Sequence, residues 1–195
     1  KHGLVLIEDC CQGWGARYDG QPLGTHGHIA CFSLQDSKLI TCGDGGVVAS
    51  NDPRFGPLLQ LYGDKGMLRG GGDGLFHHFA TNYRMSESQA AVAAGQLTRL
   101  EKIAAKRSRL GNLLSEKLAG TPGIDLHQVR SEDRCVYWFY MLRLRPEIIP
   151  DPHMPRPTAQ KVFPHVQSCT PSCWYFFSTW YDCFLHTSDD PADLT

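Results

Sequence analysis

The 195-residue chain lacks any apolar run close to the roughly 20 residues that a helix needs to cross a bilayer. Its cleanest early run, Gly3-Leu4-Val5-Leu6-Ile7, is cut off by Glu8-Asp9, and no membrane partner is expected. An excess of either charge is also missing. With 19 Lys+Arg against 20 Asp+Glu the formal net charge is -1, which leaves no field to hold a polyanion, so nucleic acid is not an expected partner. The start, Lys1-His2-Gly3, has neither an initiator Met nor the basic, apolar and small-residue regions of a signal peptide, and the chain reads as the middle of a longer protein. At 42% hydrophobic residues it can bury a core, which excludes a disordered tail. The expected partner is a small molecule or another protein.

Cysteine is plentiful, with eight residues unevenly placed. Cys10, Cys11, Cys31 and Cys42 lie in or beside apolar runs, as buried free thiols do, and a reducing cytoplasmic setting is expected. Three short apolar segments bounded by Gly, Asp or Asn, namely Leu4 to Ile7, Ile29 to Leu34 and Gly46 to Ser50, predict strands covered on both faces of an α/β domain. Residues 18–24 form a turn-rich connection. Residues 63–78 are dense in glycine and predict a mobile loop. From about Ser86 to Leu118 the sequence predicts one long helix: Ser86 and Gln89 fit a capping box, and Ala93, Leu97, Leu100, Ala104, Leu110, Leu114 and Leu118 keep to one broad face. Gly120 and Pro122 stop it. Val136 to Leu144 reads as a strand.

Lys38 is the sharpest chemical feature. It follows a buried strand and precedes Gly43-Asp44-Gly45-Gly46, where little side-chain bulk hinders the approach of another molecule. Partial burial there favours a nucleophilic free amine; the alternative is a solvated lysine in a hairpin loop. Asp9 ends the first strand and so belongs at the carboxyl edge of the sheet, where α/β folds place ligands. It can hold a ring nitrogen protonated, or it can cap a helix begun by Asp9-Cys10-Cys11-Gln12. The Ser33 hydroxyl can donate to a phosphate or be a small strand residue. Asn82-Tyr83-Arg84 precedes the helix, beside whose N-terminus an anion could bind, or is an ordinary lead-in.

Taken together, three ordered motifs resemble the DegT/DnrJ/EryC1/StrS family of sugar aminotransferases, pyridoxal-phosphate enzymes of fold type I. They are Val5-Leu6-Ile7-Glu8-Asp9-Cys10-Cys11-Gln12, then Cys31-Phe32-Ser33-Leu34 with Lys38 to Gly46, then Asn82-Tyr83-Arg84-Met85-Ser86-Glu87-Ser88-Gln89-Ala90-Ala91. The resemblance implies an α/β fold: part of a fold type I large domain, a long spine helix and the start of a small α+β domain. It implies pyridoxal 5'-phosphate as cofactor, with Lys38 as the Schiff-base lysine and Asp9 as partner of the pyridinium nitrogen. Gln12 would pack beside the ring, Ser33 would bind the phosphate, and Asn82 would reach the phosphate in the neighbouring subunit of a homodimer. The implied reaction moves an amino group from glutamate or glutamine to a keto sugar, commonly nucleotide-linked.

The domain expectation is residues 1–85 as the C-terminal part of the cofactor-binding domain, 86–120 as the connecting helix and 121–145 as the start of the small domain. Residues 146–195 read as an atypical tail of prolines, aromatics and cysteines, disordered or changed in reading frame. No metal is expected, the rival being zinc at Cys169, Cys173, Cys183 and His186, whose spacing departs from ribbons and fingers. The functional alternative is a non-catalytic remnant or dimerising subunit that lacks the family's N-terminal cofactor ligands.

Overall fold

A computed structural model describes residues 2–67, 75–145, 148, 166–170 and 173–176. It divides into two compact units, the first formed by residues up to Leu110 together with Val129–Trp138, the second by Gly111–Gln128 with the described residues from Phe139 onward.

In the first unit, β1 (Ile7–Asp9) runs parallel to β4 (Ile29–Ser33), and β5 (Gly46–Ala49) lies antiparallel on its other side. Between them, β2 (Arg17–Tyr18) and β3 (Gln21–Pro22) form a hairpin. Its turn is Asp19-Gly20, both at positive φ (51° and 73°), the conformation that matches strand twist in a two-residue hairpin. β1 begins three residues later than the sequence predicts. Leu4, Val5 and Leu6 stand exposed before it, tied to the sheet edge by the His28 amide donating to the Leu6 carbonyl at 2.9 Å. Nor is the sheet covered on both faces among the described residues, since Ile7 and Val48 are both more than half exposed.

The core of this unit gathers around Leu34 and Ile40, both fully buried, with Trp14, Cys42 and Ala93. A second cluster joins Ala16, Ala104 and Val136. The single helix expected over 86–118 is two: α2 (Glu87–Leu97) and α3 (Leu100–Leu118). The break has a local cause. The Thr98 hydroxyl donates back to the Gly95 carbonyl at 2.8 Å, and the Arg99 amide closes a tighter bond to Gln96 at 3.0 Å. The capping box at Ser86 and Gln89 is present as read. Helix α1 (Gly56–Gly63) was not foreseen; Pro57 in its first turn, where no amide donor is needed, starts it.

Residues 68–74 of the glycine-dense loop lie outside the described residues, while its flanks pair as a stem through Met67 with Phe76 and Asp64 with Asn82. In the second unit, β6 (Ile124–Leu126), β7 (Tyr140–Leu144), β8 (Val166–Thr170) and β9 (Cys173–Phe176) form an antiparallel sheet in the order β6-β7-β9-β8. The sequence reading found no element continuing into the tail, yet the backbone of 166–170 and 173–176 extends this sheet. The expected strand over 136–144 is confined to β7, because Tyr137 takes a φ of 46° that an extended chain cannot continue through.

Candidate functional site

The register of the first sheet gathers the chemistry at one edge. Asp9 pairs with Cys31 and Ser33 pairs with Gly46, so the carboxyl ends of β1 and β4 meet the start of β5. Between Ser33 and Gly46 lies the loop that carries Lys38. Its backbone is anchored at both ends: the Leu34 amide donates to Gly45 at 2.9 Å and the Cys42 amide to Leu34 at 3.0 Å. Buried Leu34 and Ile40 flank the lysine, which is itself half-buried. Within the loop, the Lys38 amide donates to the Gln35 carbonyl at 3.0 Å, and the Ser37 hydroxyl to the Gln35 side-chain oxygen at 2.6 Å.

Asp9 is exposed, and no helix follows it. Residues 10–16 form consecutive turns, in which the Gly13 amide reaches Cys10 and the Ala16 amide reaches Gly13, both at 2.9 Å. The helix-capping alternative for Asp9 is therefore excluded. Its carboxylate instead accepts the Cys11 amide at 3.1 Å. The Cys11 thiol first, and that amide second, hold the Asp9 carboxyl below its ordinary value of 3.8, with the Lys38 charge adding to the effect. The group is thus an anion near neutral pH. The neighbouring Cys10 is buried, which pushes its thiol up to about 11 and keeps it protonated.

The Ser33 hydroxyl oxygen accepts the Gln35 amide at 3.3 Å, which leaves its proton to donate elsewhere. Gln12 is exposed on the turn after Asp9. Asn82 belongs to a different element: it is exposed on the loop stem, where its side-chain oxygen accepts the Arg84 amide at 3.2 Å and Arg84 pairs with buried Asp64 at 2.9 Å. Asp9, Ser33 and Lys38 are thus brought together along one sheet edge, and Asn82 stands apart from them in the stem.

Sequence reasoning missed Trp138. Its ring lies 4.2 Å from the Lys38 amine and its indole N–H donates to the Ser37 carbonyl at 2.8 Å. A separation of a hundred residues along the chain offers no spacing signal from which to find it. Among the described residues no group of three or more His, Cys, Asp or Glu could hold a metal ion. Of the rival zinc set, Cys183 and His186 lie outside the described residues, and only the backbone of Cys169 and Cys173 is described. No helix among the described residues is long and apolar enough to cross a membrane.

An amine, an ionised carboxylate and a hydroxyl with a proton to give form a donor set that fits an aromatic aldehyde bearing a ring nitrogen and a phosphate. The description of the DegT/DnrJ/EryC1/StrS aminotransferase family matches residues 1–154. GDP-perosamine synthase of Caulobacter vibrioides is 34% identical over 145 residues, which cover 74% of this chain and 39% of that protein. L-glutamine:scyllo-inosose aminotransferase of Streptomyces griseus is 32% identical over 158 residues, 76% of this chain and 37% of that protein. The solved structure of AtS13 from Actinomadura melliaura, at 24% identity, shares the fold with a TM-score of 0.72 over 96% of this chain and 50% of that one.

Fold and match together define an α/β protein of the fold type I aminotransferase class. The chain belongs to the DegT/DnrJ/EryC1/StrS aminotransferase family, an enzyme family, as its three motifs led us to expect. It spans about two-fifths of the length of the curated relatives it matches.

Proposed function

We propose that this chain carries the lysine-bearing part of a pyridoxal-phosphate-dependent sugar aminotransferase, which moves an amino group from glutamate or glutamine to a keto sugar, commonly nucleotide-linked. The observation that carries the reading is the convergence of Asp9, Ser33 and Lys38 on one sheet edge. When bound, pyridoxal phosphate supplies an aldehyde that takes up the amino group and a ring that stores an electron pair. Lys38 would hold that aldehyde through its amine and would carry a proton at its Nζ. The Asp9 carboxylate would keep the ring nitrogen protonated. Gln12 would pack beside the ring, and the Ser33 hydroxyl would donate to the phosphate.

Asn82 would reach the phosphate held by a second copy, so a homodimer would be the working form, and the free cysteines among the described residues suit a reducing cytoplasm. The family match and the two relatives, one named for a GDP-linked sugar product and one for a glutamine donor, support the sugar-aminotransferase reading. The test is direct. The purified chain mixed with pyridoxal phosphate and then borohydride gains a stable adduct on the Lys38 peptide, seen by mass, and Lys38→Ala does not. A folded wild-type chain without the adduct overturns the reading. The dimerising alternative predicts an adduct only when a full-length family member is also present.

A further inference from the structure

The indole of Trp138 is fixed from two independent directions. On the backbone side, the guanidinium of Arg107 in α3 donates to three successive carbonyls: Val136 at 3.2 Å, Tyr137 at 2.6 Å and Trp138 at 2.8 Å. The Ser108 hydroxyl donates to the Cys135 carbonyl at 2.6 Å. This grip holds Tyr137 in its left-handed conformation, a φ of 46° that a bulky residue rarely adopts, with Val136 and Tyr137 both buried beneath. On the ring side, the indole N–H donates to the carbonyl of Ser37, the residue immediately before Lys38. The same ring then stands 4.2 Å from the Lys38 amine. One aromatic plane therefore holds both the loop backbone and the end of the lysine chain.

We propose that Trp138 is a positioning residue for Lys38, its ring holding the amine in one orientation at the sheet edge. The role rests on the reading of Lys38 as the carbonyl-bonding amine, but the geometry does not. A lysine chain has four rotatable bonds, and an exposed ammonium gains little from water that would keep it in one place. A ring face within 6 Å of the charge attracts it and narrows that freedom. The proton on the indole nitrogen matters separately, because it ties ring and loop to the same frame.

The test uses the full chain and has readouts that need no turnover. In wild-type protein carrying ¹³C-lysine, the Lys38 ε-methylene protons, assigned by their loss in Lys38→Arg, are shifted upfield by the ring current; ordinary shifts there overturn the proposal without any variant having to fold. Acetic anhydride labelling, read by peptide mass against exposed Lys102, rises about fivefold at Lys38 in Trp138→Leu, as expected for loss of a modest cation–π contact. It returns to near the wild-type value in Trp138→Phe, which keeps a ring. Pyridoxal phosphate alone is the second probe: its borohydride-trapped Lys38 adduct forms about fivefold more slowly in Trp138→Leu. Unchanged labelling in a folded Trp138→Leu overturns the proposal. Shifted methylene protons and raised labelling with no adduct in any variant overturn the role of Lys38 instead, and leave Trp138 as its positioning contact.

Discussion

Asp9 stands opposite Cys31 in the parallel pair of β1 and β4, which puts its carboxylate two residues short of Ser33 along the neighbouring strand. The hydroxyl and the carboxylate thus come from adjacent strand ends. Asp9→Asn preserves the turn, because the amide oxygen still accepts from Cys11, and removes only the charge. Hydrogen bonds to charged groups are roughly twice as strong as those between neutral ones, so affinity for pyridoxal phosphate falls roughly tenfold or more, as read by fluorescence titration. The pH dependence follows from the lowered carboxyl value. The anion persists below the ordinary 3.8, so binding by the wild-type chain holds through mildly acidic pH, and any loss above that value has a cause other than Asp9.

Glu8, next to Asp9, has a structural task. Its carboxylate accepts the amides of Gly24 at 2.7 Å, His26 at 2.8 Å and Gly27 at 2.5 Å, closing the loop that leads into β4. Gly24, at a φ of 90°, has no room for a side chain, since a Cβ would meet the Phe32 ring at 2.5 Å. Desolvation raises the Glu8 carboxyl, but the three backbone donors and the His26 charge outweigh it, and the net value lies below the ordinary 4.5. The folded protein therefore binds this proton more weakly than the unfolded chain. The stabilisation is complete above pH 4.5 and drains away as pH falls through the lower folded value. Glu8→Gln turns an NH₂ group toward one of the amides and costs about 2 kcal/mol. Urea denaturation at pH 7 reads that loss, and the variant shows a shallower decline in acid than the wild type.

The capping box joins helix stability to the lysine loop. Ser86 accepts the Gln89 amide, and the Gln89 side chain donates to the Asp44 carbonyl at 2.7 Å while its oxygen accepts the Ser86 amide at 3.0 Å. Ser86→Ala costs about 1 kcal/mol of stability through the lost cap. Gln89→Ala costs a similar amount and also frees the Asp44 carbonyl. Amide exchange at Gly45 and Gly46 therefore quickens in Gln89→Ala and stays unchanged in Ser86→Ala.

What was legible in the sequence follows from where its causes lie. Strand β4, the lysine loop and β5 are contiguous, so apolar runs and glycines revealed them and the family motif named their residues. The capping box is equally local. The division at Thr98 was hidden because the apolar stripe runs through it unbroken, and only local bonds, from the Thr98 hydroxyl to Gly95 and from the Arg99 amide to Gln96, mark the break. Trp138 was hidden for the opposite reason: its partner Ser37 and its clamp Arg107 are remote in sequence. Strands β8 and β9 were obscured by prolines and a cluster of aromatics without alternation, although Trp174, Tyr175 and Phe176 are residues that strands favour.

The stem that carries Asn82 depends on a pair whose two members differ in exposure. Asp64 is buried, with 7% of its side chain exposed, while Arg84 keeps 44%. Around them the Lys65 amide donates to Thr81 at 2.9 Å and the Tyr83 amide to Gly63 at 3.0 Å, so the ion pair closes a backbone ladder. An exposed pair is worth about 0.5 kcal/mol, and breaking a buried one from one side costs about 4. Arg84→Ala leaves the buried carboxylate without this guanidinium and falls between the two, at about 2 kcal/mol. Asp64→Asn keeps an oxygen facing the arginine while removing the buried charge, and costs less. A double-mutant cycle on urea midpoints therefore gives a positive coupling, with the single Arg84→Ala variant the more destabilised. Losses that simply add in the double variant would mean that the stem is held by its backbone bonds, and that Asn82 owes its place to them and not to the charge pair.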